Sequence, residues 1–260
     1  MPELPDVEIY KQYIDSTSLD QKIKKTETGD QKVMQVSPSQ AGKELSGKKL
    51  TKTKRLGKWL FCSVENEKWL VMHFGMTGRL KYSKDQEPPD HAHFRIYFDN
   101  SFALYFISVR KLGKIDITED IETFAEKNKL GKDALELSKD DFIDKIRSKQ
   151  SQVKRALMNQ ESISGIGNIY SDEILFQARL HPKTKSSELS IDELENLYKK
   201  MRDTLQLAIE KQADPDKFPE HFIIPHRKKD GKCPVCEGQV KKITVSGRGC
   251  YICPACQKKS

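Results

Sequence analysis

The chain has 260 residues, 32% of them charged, a net charge of +8 and a pI of about 9.0. That length admits one large domain or two modest ones with true cores. A mean hydropathy of -0.69, with no apolar run near the roughly 18–20 residues of a membrane span, excludes a transmembrane protein.

The first residues, Met1-Pro-Glu-Leu-Pro-Asp6, lack the basic start and apolar stretch of a signal peptide. The expectation is a cytoplasmic monomer (nucleoid-associated if bacterial), without membrane contact. Residues 5–14 read as a helix. Pro5 suits a first turn, Asp6 and Glu8 favour the positive end of the helix dipole, and Val7, Tyr10 and Ile14 share a face. From about 45 to 115 the pattern turns to short strands, with Trp69–Phe74, Phe94–Phe98 and Phe102–Ile107 rich in aromatic and β-branched residues. Breaks at Asp85–Asp90 and Asp99-Asn100-Ser101 separate them. This is an all-β domain, sandwich or barrel, behind a leading helix.

Asp116–Glu136 is polar and acidic and reads as a linker, with Glu119–Glu126 as its surface. Helices follow. Ser138-Lys-Asp-Asp141 resembles a capping box, and Ser190-Ile-Asp-Glu193 is a full one. The second opens a long helix with Leu194, Leu197, Tyr198, Met201, Leu205 and Ala208 on one stripe. Gln152–Met158 is helical in pattern, and the turn Gly165-Ile-Gly167 leads into a helix near Asn168.

Cys233-Pro-Val-Cys236 and Cys253-Pro-Ala-Cys256 are two Cys-x-x-Cys pairs. Each turn can give two thiolates to one metal, and two turns complete a tetrahedral site for a single structural zinc. The spacing favours zinc over disulfides or free thiols. A β-hairpin is expected around Ser246-Gly-Arg-Gly249. Cys62 reads as a small core residue, and Cys250 lies near the cluster without a partner pair. Residues 226–260 hold nine Lys/Arg against two acids, so nearly all the excess charge is here. Concentrated positive charge beside ordered cysteines points to a nucleic-acid-binding module. The Lys228-Lys229 run reads as a solvated turn or a phosphate contact.

Once Met1 is removed, Pro2 presents a secondary amine. An α-amino pKa of roughly 7.7–8.0 leaves it partly unprotonated at neutral pH. It can attack a sugar C1′ and form an iminium, with Glu3 moving protons. On these positions alone an ordinary second residue is the better reading. His73, His91 and His93 lack a fourth ligand and read as hydrogen-bonded core or cleft residues. Trp59 and Trp69 read as core.

Six ordered motifs together resemble the formamidopyrimidine-DNA glycosylase / endonuclease VIII family, and its formamidopyrimidine branch most. They are Met1-Pro-Glu-Leu-Pro-Asp-Val-Glu8, Arg55-Leu-Gly-Lys58, His73-Phe-Gly-Met-Thr-Gly78, His91-Ala-His93 with Val109-Arg-Lys-Leu-Gly113, Gly165-Ile-Gly-Asn-Ile-Tyr-Ser-Asp-Glu173, and Gly247-Arg-Gly249 with the four cysteines and Gln257. The resemblance implies an α+β multidomain chain. Residues 1–118 would be a catalytic β-sandwich with a leading helix, 119–224 a helix-two-turn-helix DNA-binding domain, and 225–260 a four-cysteine zinc finger on a β-hairpin. It implies a bifunctional DNA glycosylase and abasic-site lyase of base excision repair, acting on double-stranded DNA with damaged bases or abasic sites. Formamidopyrimidines and 8-oxoguanine are the expected substrates.

Residue by residue, Pro2 would be the nucleophile, Glu3 the general acid/base, and Lys58 a phosphate contact that supports successive β- and δ-elimination. His91, Arg110, Lys154, Asn168, Tyr170 and Arg248 would contact DNA. Met76, Arg110 and Leu112 would fill the void left by the flipped base, since an apolar wedge with an arginine replaces lost stacking. Two positions depart from the family pattern: Leu112 stands where Phe is usual, and Lys111 where Arg is. The segment Gln212–Pro225 is shorter than, and different from, the glycine-containing loop that covers the base in the oxidised-purine enzymes. The alternatives are a glycosylase preferring oxidised pyrimidines and a non-catalytic damaged-DNA binder on the same scaffold. Intact Pro2, Glu3 and Lys58 favour the enzyme.

Overall fold

The computed structural model describes all residues except 66, 85, 86, 229, 259 and 260. The start of the expected Asp85–Asp90 turn, and Lys229 of the expected lysine run, therefore lie outside the described residues. The chain forms two compact units, one of residues 1–2 and 6–128, the other of residues 3–5 and 129–260.

The first unit holds α1 (Leu4–Thr17) from Asp6 onward, then β1 (Ile23–Thr28), α2 (Pro38–Leu45), β2 (Leu50–Leu56), β3 (Trp59–Val64), β4 (Trp69–His73), β5 (Gly78–Ser83), β6 (Ala92–Phe98), β7 (Ala103–Ser108), β8 (Lys114–Thr118) and α3 (Ile121–Lys127). The strands form two four-stranded sheets, β1-β6-β7-β5 and β2-β3-β4-β8. Every pairing within them is antiparallel. Leu60, Cys62, Leu70 and Met72 of one sheet and Phe94, Ile96, Leu104 and Phe106 of the other share one core with Val7 and Ile14 of α1. That is the expected sandwich with its leading helix. Cys62 is the core residue its sequence suggested.

Two stretches differ from the expectation. β1, Ile-Lys-Lys-Thr-Glu-Thr, is missing from the sequence reading. Only Ile23 is buried in it, so it carries almost no apolar signal and is held by its pairing with β6. The acidic Asp116–Glu136 stretch is not a plain linker. It completes β8, which pairs with β4 from Trp69↔Thr118 to His73↔Lys114, and then forms α3. Phe124 of α3 packs edge-on against Trp59 and Phe61, with ring centroids at 5.0 and 5.4 Å. One aromatic residue in a charged run decides the packing, because its buried area outweighs its neighbours' solvation.

The second unit contains β9 (Lys132–Asp133), α4 (Lys139–Arg147), α5 (Val153–Leu157), β10 (Ile163–Ser164), α6 (Asn168–Gln177), α7 (Ile191–Glu210), β11 (Lys241–Val245) and β12 (Arg248–Ile252). Ser138 caps α4 through Asp141 N–H. Ser190 and Glu193 make the reciprocal capping box on α7, at 2.9 and 3.2 Å. α7 buries Leu194, Leu197, Met201, Leu205 and Ala208, as its stripe predicts. These pack with Phe142, Leu157, Tyr170 and Ile174 in the unit's main core. α6 is buried nearly all round, from Tyr170 to Phe176, with Ser171, Asp172 and Glu173 among the buried residues. No helix among the described residues is long and apolar enough to cross a membrane.

Candidate nucleic-acid interface and catalytic residues

Glu3 is 1% exposed. Its carboxylate accepts the backbone N–H groups of Gly167 at 2.7 Å, Ile169 at 2.8 Å and Tyr170 at 3.2 Å. These are first-turn amides of α6, which have no partner inside the helix. Gly167, at the N-cap, offers no side chain to bind them, and Glu3 does so instead. A Cβ on Gly167 would stand 2.3 Å from Glu3 Cδ, so only glycine fits. Leu4 N–H donates to Gly165 O at 3.1 Å, which pins the chain beside Glu3. Pro2, the residue before it, is half-buried.

In the first unit, Lys58 occupies the two-residue turn Gly57-Lys58 between β2 and β3 and is 8% exposed. Arg55 supports this turn, donating to Gly57 O at 3.3 Å and pairing with Glu8 of α1 at 2.8 Å. The His73 ring packs tilted against Trp59, with centroids at 4.6 Å, and accepts the Gly75 N–H at 3.2 Å. Burial, then the Lys58 and Lys114 charges, push its pKa down to about 4. Buried His93 bonds Ser108 O at 3.1 Å. His91 is exposed, with φ 63, beside His93 in a small cleft.

Met76, Arg110 and Leu112 lie on two adjoining loops. Arg110 Nη1 is 3.0 Å from Met76 Sδ, and Arg110 N–H donates to Thr77 Oγ1 at 3.2 Å. Gly75 lies so close to Leu112 that a Cβ there would be 2.4 Å from the Leu112 carbonyl. Met76, Val109 and Leu112 are 42%, 49% and 49% exposed, an apolar tip with an arginine in it. Lys111 points elsewhere, pairing with Asp30 at 2.6 Å. That hydrogen bond, then the one from Lys32 N–H, hold the Asp30 carboxyl down at about 2.

In the second unit, β11 and β12 form the expected hairpin, Val245↔Arg248, with Ser246 and Gly247 at φ 48 and 76. Two positive φ values mark the tight turn that matches strand twist. Arg248 is exposed on it. Asn168 Nδ2 donates to Gly249 O at 3.0 Å, so the start of α6 and the start of β12 are tied. Arg248 also lines an open cleft of about 910 Å³ with Lys149, Arg155 and Ser246. The Tyr170 ring is in the core, and its amide donates to Glu3. Lys154 is 1% exposed. Its ammonium pairs with Asp172 and donates to Ser171 Oγ at 2.8 Å and Asn168 O at 3.2 Å.

The sequence reading missed Asp172, Glu173 and Arg227. Arg227 pairs with Asp172 through Nε at 3.1 Å and Nη2 at 2.8 Å. Glu173 accepts the N–H groups of Ile223 at 3.2 Å and Ile224 at 2.8 Å, and Gln177 Nε2 at 2.7 Å. Burial pushes its carboxyl up to about 7 against those donors. A signal was available: two adjacent acids flanked by Tyr170 and by Ile174-Leu-Phe176 need buried partners if that helix is core. The Gln212–Pro225 segment runs along the unit, with Phe218 and Phe222 in its core and Ile223 fully buried.

The thiol sulfurs of Cys233, Cys236, Cys253 and Cys256 all lie within 4.8 Å of one another. The Cys233–Cys256 and Cys236–Cys253 separations are 3.8 and 3.4 Å. Sulfurs about 2.3 Å from one zinc in a tetrahedron would stand roughly 3.8 Å apart. The cluster can therefore hold a metal ion. Cys250 is outside it, its thiol 2.9 Å from Asp172 Oδ1.

Two family models match in order: the formamidopyrimidine-DNA glycosylase N-terminal domain over residues 1–115 and the H2TH domain of the same enzymes over 130–218. A formamidopyrimidine-DNA glycosylase of Ureaplasma parvum is 32% identical over 99% of this chain and 100% of that protein. The chain belongs to the formamidopyrimidine-DNA glycosylase family. The enzyme of that name from Pelotomaculum thermopropionicum is also 32% identical, over 99% of this chain and 99% of its own. Among solved structures, a Lactococcus lactis family member bound to DNA containing Fapy-dG superimposes with a TM-score of 0.90 at 28% identity, over 99% of this chain and 100% of that one. Another from the same organism, with abasic-site DNA, gives 0.90 at 27% over the same shares. Family membership carries the class of activity, a DNA glycosylase of base excision repair.

Proposed function

We propose that this member of the family excises formamidopyrimidine-type bases from double-stranded DNA and then cuts the strand, with Pro2 as nucleophile. Processing of Met1 frees the amine. Its lone pair attacks C1′, the C1′–N bond breaks, and the base departs with the electron pair and a proton. The Pro2 nitrogen passes its proton to the Glu3 carboxylate as it becomes the iminium, and Glu3 delivers that proton to the sugar ring oxygen as the ring opens. β-elimination expels the 3′ phosphate, δ-elimination the 5′ phosphate, and water releases Pro2. Lys58 contacts a phosphate near the lesion. Asn168 and Arg248 bind flanking phosphates, because an amide at a helix start and a guanidinium fork suit phosphate oxygens. His91 and Arg110 add DNA contacts, while Met76, Arg110 and Leu112 fill the void.

The observation that carries this reading is Glu3. A carboxylate held by three α6 amides stays fixed beside the amine of the preceding residue, as a proton-transfer group must. The four cysteines hold one structural zinc, which leaves no open position on the metal and so supplies architecture rather than chemistry.

Substrate preference follows from Gln212–Pro225. Phe218, Phe222 and Ile223 of this segment are buried, and it is shorter than the glycine-containing loop that covers the base in the oxidised-purine enzymes. Formamidopyrimidines and oxidised pyrimidines are therefore favoured over 8-oxoguanine.

The test is borohydride trapping on duplexes bearing a formamidopyrimidine, 8-oxoguanine, an oxidised pyrimidine or an abasic site. A covalent adduct is expected, ranked with 8-oxoguanine below the formamidopyrimidine, and lost when Pro2 is blocked. No adduct from protein with a free Pro2 and tight binding would mean that the scaffold recognises damage without cutting.

A further inference from the structure

Asp172 is completely buried and stands at the centre of a charged cluster in the second unit. Its carboxylate takes the Lys154 ammonium on Oδ1 and the Arg227 guanidinium on Oδ2. Oδ2 also accepts the Tyr251 N–H at 3.1 Å, and Oδ1 the Cys250 thiol at 2.9 Å. Arg227 lies over the Tyr251 ring at 5.1 Å. Lys154 reaches back to the carbonyl of Asn168. A buried ion cluster is weak evidence for stability, since apolar replacements often do as well. What this one does is geometric. β12 is fastened to α6 at alternate residues, Gly249 by the Asn168 side chain and Tyr251 by Asp172. Arg248 is the residue just before the first fastening point. Asn168 Oδ1 is a buried acceptor with no partner, so the Nδ2 bond to Gly249 is what orients that amide.

We propose that Asp172 is a positioning residue that sets β12 against α6 so that Asn168 and Arg248 act as one clamp on the DNA backbone. This rests on the reading of those two residues as phosphate contacts. Lys154 and Arg227 are the counter-ions that let a carboxylate do this in a dry interior, and they leave the cluster one positive charge in excess behind Asn168.

The experiment measures what Arg248→Ala costs in affinity for a duplex with a tetrahydrofuran abasic analogue, in the zinc-loaded full chain, with and without Asp172→Asn. A charge-assisted phosphate contact makes Arg248→Ala cost about tenfold in the parent background. In the Asp172→Asn background, verified as folded by zinc content, the cost should fall to about twofold, because Arg248 is already misplaced. A merely structural role would leave the tenfold cost intact, and that result overturns the proposal. If Asp172→Asn does not load zinc, Arg227→Gln carries the same comparison from the cluster's accessible edge. An undiminished cost there also overturns it. If Arg248→Ala costs nothing in the parent, the phosphate reading itself fails.

Discussion

The Glu3 carboxylate caps α6 through Gly167, a residue 164 positions away in the chain. One bond thereby joins a proposed proton-transfer group to the helix that begins with Asn168. Three N–H donors and the positive end of the helix dipole hold the carboxylate, so it needs no flexible reach to stay in place.

Gly167→Ala should disturb this contact without touching any charge. Its Cβ would meet Glu3 Cδ at 2.3 Å, displacing either the carboxylate or the helix start. Single-turnover base release should fall by roughly a hundredfold, the scale of a lost general acid/base. Loss of the cap should cost about 1–2 kcal/mol in denaturant unfolding. A Gly167→Ala variant with the parent's rate would show that the Glu3 position does not matter to chemistry.

The apolar tip should matter to duplex substrates alone. Met76→Ala and Leu112→Ala remove exposed side chains, so stability should stay within about 0.5 kcal/mol. Excision from duplex should drop about tenfold, while cleavage of a single-stranded abasic site stays unchanged. Leu112→Phe should raise duplex excision, because a ring stacks better on bases. Equal losses on single-stranded and duplex substrates would count against a wedge.

Metal removal should act locally. Chelation or Cys233→Ser unfolds the hairpin that presents Arg248, since structural zinc sites contribute folding energy directly. Far-UV signal from the helices should largely persist, because their core lies in Leu157, Ile174, Leu197 and Leu205 rather than in the finger. DNA binding should be lost. Unchanged affinity after zinc loss confirmed by metal analysis would contradict this role.

Two groups, half-buried His73 and buried Glu173, should tilt stability with pH in opposite directions. His73, down at about 4 from 6.5, refuses a proton that the unfolded chain accepts, so the first unit weakens as pH falls from about 6.5 to 4. Glu173, up at about 7 from 4.5, keeps a proton that the unfolded chain gives up, so the second unit weakens as pH rises from about 4.5 to 7. Each effect is of the order of 3 kcal/mol. Both tryptophans, Trp59 and Trp69, belong to the first unit, so their fluorescence reads His73, while the part of the helical circular dichroism that changes without a fluorescence change reads Glu173. His73→Asn and Glu173→Gln should flatten the respective slopes, and an unflattened slope would reassign it to other groups.

Much of this molecule was legible in its sequence because the features are local. Paired cysteines with two residues between them, the Ser190–Glu193 box, the α7 stripe and the Ser246-Gly247 turn each specify their structure within a few residues. Pro2 and Glu3 were legible only as part of a six-motif resemblance, since two adjacent residues carry little information on their own.

What only the tertiary structure decided lies in contacts distant along the chain. That Glu3 caps α6, that Lys154 is buried against Asp172 instead of exposed, and that Arg227 shares the same carboxylate depend on separations of 164, 18 and 55 residues. β1 and α3 likewise form because a partner strand and one buried phenylalanine supply what their own polar sequences lack. Local pattern sets which conformations are cheap. A buried charge must find its partners wherever the fold brings them, and no spacing rule in the sequence records where that is.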